Sequence, residues 1–321
     1  MITTGMKRVS RREFLRWSAL GAGAFYAGGM GLLGGLHPLC SSERPLPSRP
    51  LGKTGKEVSI VGLGGSIAVA GDEETAAHIV EQALDLGITY IDTASQYGPS
   101  EANIGRVLSD RRDEAFLASK SDDRSYDGTM RQFEQSLSDL HTDYLDVYQL
   151  HGIHDRQTWE DVQRADGALK AVETLRDEGS IGAIGVTSHK NASLLGEILD
   201  AYPFDCVLMS MNAGDRHYDS MIKHALPVAR ERGIGIIAMK IAAYDGRIFR
   251  DGGVTSMEEA LGYVLSQDIS TAIVGISSTD ELDENASIAR AFTRFDRDAL
   301  ADIEARTADY ETEVNFFKHQ W

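Results

Sequence analysis

Apolar and polar positions along the chain follow two patterns that alternate from Leu51 onwards. Short runs of apolar residues indicate buried strands, and each run is followed by a longer stretch whose apolar residues recur at helical spacing. The strand pattern covers residues 58–64, 89–93, 115–119, 144–150, 181–186, 206–211, 234–239 and 271–274. The helix pattern covers residues 73–86, 102–108, 128–140, 167–178, 193–201, 218–231, 258–266 and 280–292.

Strands that alternate with helices in this way predict parallel βα units. An open parallel sheet would normally end at about six strands, so eight strands favour an α/β fold closed into a (β/α)8 or TIM barrel. One such barrel fits the 321 residues of the chain, because these domains commonly hold roughly 250 residues or more. Residues 51–321 are expected to form the barrel with a polar helical tail, after a Pro-rich linker at residues 44–50.

Residues 1–43 follow a different pattern. The run Ser10-Arg11-Arg12-Glu13-Phe14-Leu15-Arg16 precedes a Gly-rich apolar stretch from Trp17 to Leu36 and a polar end at Ser41-Ser42-Glu43. This segment resembles a twin-arginine (Tat) signal sequence. The resemblance implies recognition by the Tat translocation machinery and export, with a periplasmic location expected. No clean A-x-A site follows, so removal of the segment and retention as an uncleaved membrane anchor both stay open, and contact with a membrane is expected only there.

The composition of the chain argues against two classes of function, nucleic-acid binding and metal binding. The formal net charge is −17, whereas a nucleic-acid binder needs a basic surface to neutralise phosphates, so nucleic acid is not expected as a partner. The two cysteines, Cys40 and Cys206, form neither a disulfide framework nor a metal motif, and no metal site is expected. Cys206 lies in an apolar run and is interpreted as a small buried hydrophobe.

Polar residues end three consecutive predicted strands. Asp92 lies at the end of the second strand and Tyr97 follows that strand, while Lys120 and His151 directly follow the third and fourth strands. Each residue alone has an ordinary structural explanation. In a barrel, however, the carboxyl ends of the strands meet at one face, where active sites lie, so these four side chains are expected to form one site.

These segments resemble the motifs of the aldo/keto reductase superfamily, as does Arg49-Pro50-Leu51-Gly52-Lys53-Thr54-Gly55. The resemblance implies a catalytic tetrad of Asp92, Tyr97, Lys120 and His151. Hydride transfer to a carbonyl builds negative charge on its oxygen, which a tyrosine can protonate. Lys120 is expected to lower the pKa of Tyr97 towards working pH, and Asp92 to hold Lys120 in place. His151 is expected to orient the substrate oxygen or to share in proton transfer.

The same resemblance implies a nicotinamide cofactor, NAD(H) or NADP(H). Its expected binding residues are Ser188, Asn212, Met239 and Lys240 at strand ends, Gly275, Ser277 and Ser278 in a phosphate-binding loop, and Glu281 and Asn285 on the helix that follows. NADP-selective members usually carry an arginine where Glu281 stands. A carboxylate repels a 2′-phosphate and can accept from a ribose 2′-OH, which tilts the expectation towards NAD(H).

The expected function is therefore an oxidoreductase that interconverts carbonyl and alcohol on a small-molecule aldehyde or ketone. An alternative is a redox-sensing or regulatory subunit that binds the cofactor and turns over little, because the contacts at Ser188, Leu208 and Met239 depart from the family pattern. His154, His217, Tyr218 and Tyr244 are interpreted as solvated loop residues. The tail from Asp296 either packs across the barrel mouth or mediates association. The physiological substrate, the direction and the oligomeric state stay open.

Overall fold

The computed structural model describes residues 44–320, and the predicted Tat segment lies outside this range. A closed barrel of eight parallel strands dominates the fold, in the order β10-β3-β4-β5-β6-β7-β8-β9. The predicted (β/α)8 barrel is confirmed. An antiparallel pair, β1 with β2, precedes it. The strands are β1 Ser48–Pro50, β2 Glu57–Ser59, β3 Val61–Gly64, β4 Tyr90–Asp92, β5 Phe116–Ser121, β6 Leu145–Leu150, β7 Ile181–Ser188, β8 Cys206–Ser210, β9 Gly235–Met239 and β10 Thr271–Gly275.

The helices surround this barrel. They span Glu73–Asp85, Ser100–Arg111, Tyr126–Asp139, Arg156–Val162, Ala168–Asp177, Ala192–Ala201, Met221–His224, Leu226–Arg232, Met257–Leu265, Thr279–Ala291, Arg297–Thr307, Glu311–Val314 and Phe316–Gln320. Single 3₁₀ turns lie at Ala68–Ala70, Arg112–Glu114, Asp215–His217 and Ala308–Tyr310. Within residues 44–320, the helices are all too short or too polar to cross a bilayer.

The first predicted strand, residues 58–64, is two strands in the structure. Its first part belongs to the β1–β2 hairpin at the N-terminal end of the barrel, and its second part is barrel strand β3. The chain bends at Ile60, where the hydroxyl of Ser59 donates to the carbonyl oxygen of Val61 at 2.7 Å. Both parts are buried, so the apolar pattern runs through the bend without a break.

The predicted helix at residues 218–231 is also divided. Pro227 has no N–H to continue the hydrogen bonds of the preceding turn, and the segment forms two short helices that meet at Ala225. The helix Arg156–Val162 was not predicted. It begins at Asp155, whose carboxylate accepts the backbone N–H of Thr158 at 2.8 Å.

Two apolar layers form the core. One fills the barrel interior, where Tyr90 stacks on Phe116 with ring centroids 5.5 Å apart and Cys206 is fully buried, as expected for a small hydrophobe. The larger layer lies between the strands and the surrounding helices.

The C-terminal tail packs across the mouth of the barrel, which is the first of the two alternatives left open by the sequence. Lys318 is buried and donates to Asp215 Oδ1 at 2.6 Å. Phe317 is fully buried beside it, with its ring 6.4 Å from that of His189 in the loop after β7. The tail therefore packs against His189, which lines the site described next.

Candidate active site

A cleft of about 450 Å³ opens at the C-terminal ends of the barrel strands. Asp92 and Tyr97 line its floor, and Lys120 and His151 lie directly behind them. The structure thus brings together the four residues predicted from the ends of β4, β5 and β6. Register accounts for the grouping, because Asp92 pairs with Ala118 and Lys120 pairs with Gln149, so that the ends of the three parallel strands lie at the same face of the barrel.

Asp92 and Lys120 form an ion pair inside the barrel. Lys120 Nζ donates to Asp92 Oδ2 at 2.5 Å and to the carbonyl oxygen of Thr93 at 2.6 Å. Burial lowers the pKa of Lys120, but the charge and hydrogen bond of Asp92 together with the charges of Tyr97 and Glu101 outweigh burial, so that the pKa of Lys120 is raised. Burial raises the pKa of Asp92, against the pull of Lys120. The pair therefore holds a fixed ammonium at the base of the cleft.

Tyr97 lies over this ammonium. Lys120 Nζ is 5.0 Å from the centroid of the Tyr97 ring. Burial raises the pKa of the Tyr97 phenol, and the opposing effect of Lys120 does not overcome it. Lys120 therefore lowers this pKa as expected, but the expected net shift towards working pH is wrong, because burial outweighs the effect of Lys120. The phenol is protonated at neutral pH, which is the form that can donate a proton.

His151 stands against Tyr97 edge to face, with ring centroids 5.9 Å apart. Its Nδ1 lies 2.9 Å from Gln96 Nε2, and Arg124 donates to its backbone carbonyl oxygen at 2.7 Å. Burial, followed by the charge of Lys120, lowers the pKa of His151 to about 2. The imidazole is therefore neutral, and it can orient an oxygen by a hydrogen bond without carrying charge.

Two residues of this site, Gln149 and His189, were missed from the sequence. Gln149 donates to Asp92 Oδ1 at 3.1 Å and so fixes the second carboxylate oxygen. Ser119 precedes Lys120 and points to the opposite face of β5, where it donates to the buried carboxylate of Glu101 at 2.5 Å outside the cleft. His189 lines the cleft. A signal existed for Gln149, because strand alternation places it on the same side of β6 as His151.

His154 is half-buried and takes part in the site, so its interpretation as a solvated loop residue is wrong. Its Nδ1 lies 3.1 Å from the hydroxyl of Ser188, and its ring lies 5.5 Å from that of His189. Burial lowers the pKa of His154 to about 4. His217 and Tyr218 are exposed as expected, although His217 Nε2 lies 2.8 Å from the carbonyl oxygen of Glu304. Tyr244 is 39% exposed and lines the cleft.

Two predicted cofactor residues lie behind the cleft wall. Ser188 is buried and donates to the carbonyl oxygen of Lys190 at 2.8 Å. Asn212 is buried, accepts the N–H of Gly214 at 2.9 Å and donates to the carbonyl oxygen of Lys240 at 3.4 Å. Both polar groups thus shape the neighbouring loops.

Six of the residues predicted to bind the cofactor line the cleft, and their contact with a cofactor stays a prediction: Met239, Lys240, Gly275, Ser277, Glu281 and Asn285. Burial lowers the pKa of Lys240 to about 8, and its ammonium lies 4.8 Å from the Tyr244 ring centroid. Ser278 begins the helix Thr279–Ala291, and its hydroxyl accepts the N–H of Glu281 at 3.4 Å. Glu281 in turn accepts the N–H of Ser277 at 2.6 Å. Its carboxylate therefore holds a donor of the predicted phosphate-binding loop.

These residues suit a dinucleotide. Backbone approaches the cleft closely at Gly64 and Gly275, where an added Cβ would lie 3.1 Å from Gly275 N and 2.8 Å from the Ile67 side chain, respectively. Asn285 Oδ1 is buried and has no hydrogen-bond partner in the described part of the chain. An amide oxygen left in this way is a ready acceptor for a ligand donor. No cluster of His, Cys, Asp or Glu within residues 44–320 is arranged to hold a metal ion.

Comparison with known proteins identifies the family in which this arrangement of residues is found. A family model described as the aldo/keto reductase family matches residues 61–246. The chain belongs to the aldo/keto reductase family. A solved aldo-keto reductase, AKR11C1 from Bacillus halodurans in its holo form, aligns with a TM-score of 0.70 at 26% identity, covering 81% of this chain and 96% of that one.

Curated relatives agree with the family. The uncharacterized oxidoreductase YqkF of Bacillus subtilis is 28% identical over 290 residues, which cover 76% of this chain and 91% of the relative. The L-galactose dehydrogenase of Arabidopsis thaliana is 27% identical over 303 residues, which cover 80% and 93%. This aldo/keto reductase is thus an oxidoreductase of a family that uses nicotinamide cofactors.

Proposed function

We propose that this aldo/keto reductase interconverts an aldehyde or ketone and its alcohol, with Tyr97 as the proton donor in the reducing direction. The observation that carries the proposal is the ring of Tyr97, held over the buried Lys120–Asp92 pair at the base of the cleft. A bound nicotinamide would supply the hydride. The residues that would hold it are those lining the cleft from Met239 to Asn285.

The side chains of the site then have separate tasks. Charge that develops on the carbonyl oxygen is met by the Tyr97 O–H, which passes its proton to that oxygen. The ammonium of Lys120 stabilises the phenolate left behind, and Asp92 with Gln149 keeps the ammonium in position. His151 remains neutral and orients the oxygen.

Replacement of Tyr97 by phenylalanine tests this assignment. We expect Tyr97→Phe to lower kcat about 10²- to 10⁴-fold, since it removes one positioned proton donor. The ring and its packing are kept, so the urea midpoint should not change. Tyr218→Phe is the matched control, because that phenol is exposed at 40% and stacks on His319. Retention of turnover in Tyr97→Phe with a panel of aldehydes would refute the role.

We also propose that NAD(H) is preferred. Glu281 and Glu284 both line the cleft on the helix that follows the Gly/Ser loop, and their charges would repel a 2′-phosphate. Glu281→Arg should raise kcat/KM with NADPH relative to NADH by about tenfold or more. Asp280→Arg makes the same charge change on an exposed neighbour outside the cleft. An equal shift in both variants would mean that only net charge matters.

We further propose export by the Tat pathway, which rests on the twin arginines Arg11 and Arg12 in Ser10–Arg16. Replacement of both by lysine keeps the charge and should leave the protein in the cytoplasm on cell fractionation. Arg8→Lys is the control outside the motif. Equal export of all three proteins would overturn the proposal.

A second candidate function is a cofactor-binding redox sensor with little turnover. It is favoured by Ser188 and Asn212, whose polar groups are engaged within the protein instead of facing the cleft. Steady-state oxidation of NADH with aldehydes, alongside direct measurement of NADH binding, separates the two. Tight binding without turnover would favour the sensor.

A further inference from the structure

A second cavity, of about 470 Å³, lies at the opposite end of the barrel from the active-site cleft. The β1–β2 hairpin forms one wall, and the turns that lead into β9 and β10 form the others. Strand β9 separates the two cavities, because Ile234 and Ile236 line the lower one whereas Met239 lines the cleft. Nothing in the proposed reaction uses this lower cavity.

Cationic side chains surround this cavity. Arg49, Lys53, Arg230 and Arg294 line it with a single carboxylate, Asp268. The chain as a whole has a formal net charge of −17, so this is a local reversal of sign. Such a reversal concentrates anions from solution at one place on an otherwise repulsive surface.

The one carboxylate does not neutralise the group. Asp268 pairs with Arg230 at 2.7 Å and also with Arg294. Arg49 donates to the carbonyl oxygens of Ile269 and Leu265, both at 3.0 Å, which leaves further N–H groups of its guanidinium. Burial and then repulsion by Arg294 lower the pKa of Arg49. The cations therefore repel one another, and a bound anion would relieve this repulsion.

Lys53 is the cation with the greatest freedom to meet a ligand. Its side chain is exposed and forms no ion pair within residues 44–320. Its stem passes over Gly233, where an added Cβ would lie 2.3 Å from Lys53 Cε. Gly233 also has a φ of +66°. Glycine at this position therefore gives the lysine a path along the cavity wall.

The floor of the cavity is apolar. Ile234, Ile236 and Ile269 line it and are between 3% and 5% exposed. The rim of guanidinium and ammonium groups above this floor matches an anion that carries a compact multiply charged group. Arginine forks bind phosphate oxygens in pairs, and lysine adds a point charge.

We propose that this lower cavity binds a phosphate group, independently of the reaction at the other end of the barrel. Two sources share this chemistry, a small soluble phosphate and the headgroup of an anionic phospholipid. Arg230, Arg294 and Lys53 would hold the phosphate, and Arg49 would keep the cavity wall in place through its bonds to the backbone.

The test uses the full chain and two probes. Inorganic phosphate is titrated calorimetrically at low ionic strength, and co-sedimentation is measured with vesicles of phosphatidylglycerol and of phosphatidylcholine. Lys53→Gln and Arg230→Gln should each weaken binding of the phosphate probe about fivefold, as expected for one partly screened charge contact. The control is Arg232→Gln, an equal charge loss on a side chain that pairs with Asp200 outside the cavity.

Each outcome decides the proposal. Loss of calorimetric binding in the two cavity variants, but not in the control, supports a soluble phosphate ligand. Loss of preferential binding to phosphatidylglycerol vesicles in the same two variants supports a lipid headgroup. Absence of phosphate binding with both probes, or equal binding by all variants, overturns the proposal. Both substituted side chains are exposed, and unchanged urea midpoints would show that the variants are folded.

Discussion

Replacement of Lys120 by methionine tests the electrostatic coupling between Lys120 and Asp92, and the free energy of unfolding is the only quantity that has to be measured. Lys120 is fully buried and Asp92 is 2% exposed. Methionine fills the volume of the lysine stem but removes the ammonium, so that the carboxylate keeps only its hydrogen bond from Gln149. The carbonyl oxygen of Thr93 loses its donor as well.

The expected loss of stability follows from the burial of the Lys120–Asp92 pair. Removal of one partner from a buried ion pair leaves an uncompensated charge and costs about 3–5 kcal/mol. The cost depends on pH, because loss of Lys120 removes the effect that lowers the pKa of Asp92 and leaves burial, which raises it. A carboxyl whose pKa is raised in the folded state favours folding below its unfolded pKa and loses that contribution as pH rises. We therefore expect a large destabilisation at pH 7 and a smaller one near pH 4.

Urea unfolding followed by circular dichroism, at pH 7 and pH 4, measures both quantities. In the double variant Lys120→Met with Asp92→Asn, a neutral amide replaces the charge and still accepts from Gln149. It should recover at least about 2 kcal/mol of the loss at pH 7. A single variant as stable as the wild type, or a loss of equal size at both pH values, would show that the pair is not electrostatically coupled in this way.

Three more variants probe other parts of the structure. Gly52→Ala should cost more than about 2 kcal/mol in urea unfolding, because φ is +53° and the new Cβ would lie 2.2 Å from Gly235 N; Gly55→Ala, with open space around it, should cost only about 1 kcal/mol. His154→Gln should remove part of the stability loss of the wild type between about pH 6.5 and pH 4, since a histidine with a lowered pKa disfavours folding as pH falls; identical pH profiles would contradict this. Lys318→Met should cost about 3 kcal/mol and expose the tail to carboxypeptidase, because it leaves Asp215 buried without its cation; a tail as resistant as that of the wild type would argue against it.

The sequence was sufficient to place the tetrad because strand ends are visible as polar residues after apolar runs, and barrel closure brings them together. The grouping of Asp92, Lys120 and His151 could therefore be predicted without any distance between them. The direction in which the pKa of Tyr97 shifts, in contrast, could not be predicted without the distances and the burial in the folded structure. Lys120 is visible in the sequence, but the burial that outweighs its charge depends on packing from the whole mouth of the barrel.

Other features escaped because the hydrophobic pattern does not encode them. The bend at Ile60 divides a continuous apolar run, and only the hydrogen bond of the Ser59 hydroxyl marks it. His189 follows Ser188 and looks like a loop residue, yet the tail residue Phe317 packs against it from a distant part of the chain. A contact of this kind is set by tertiary structure and leaves no local signal.

Closure of the ring by β3 and β10 bears on how the chain is made. Val61 pairs with Ala272, and synthesis of the residues between them takes on the order of 10–40 s at ordinary ribosomal rates. Throughout that interval β3 has no partner on one side, and its open backbone edge is a template for pairing with other chains. Closure of the barrel therefore waits for the last strand, and the edge of β3 stays open to pairing with other chains until β10 has been made.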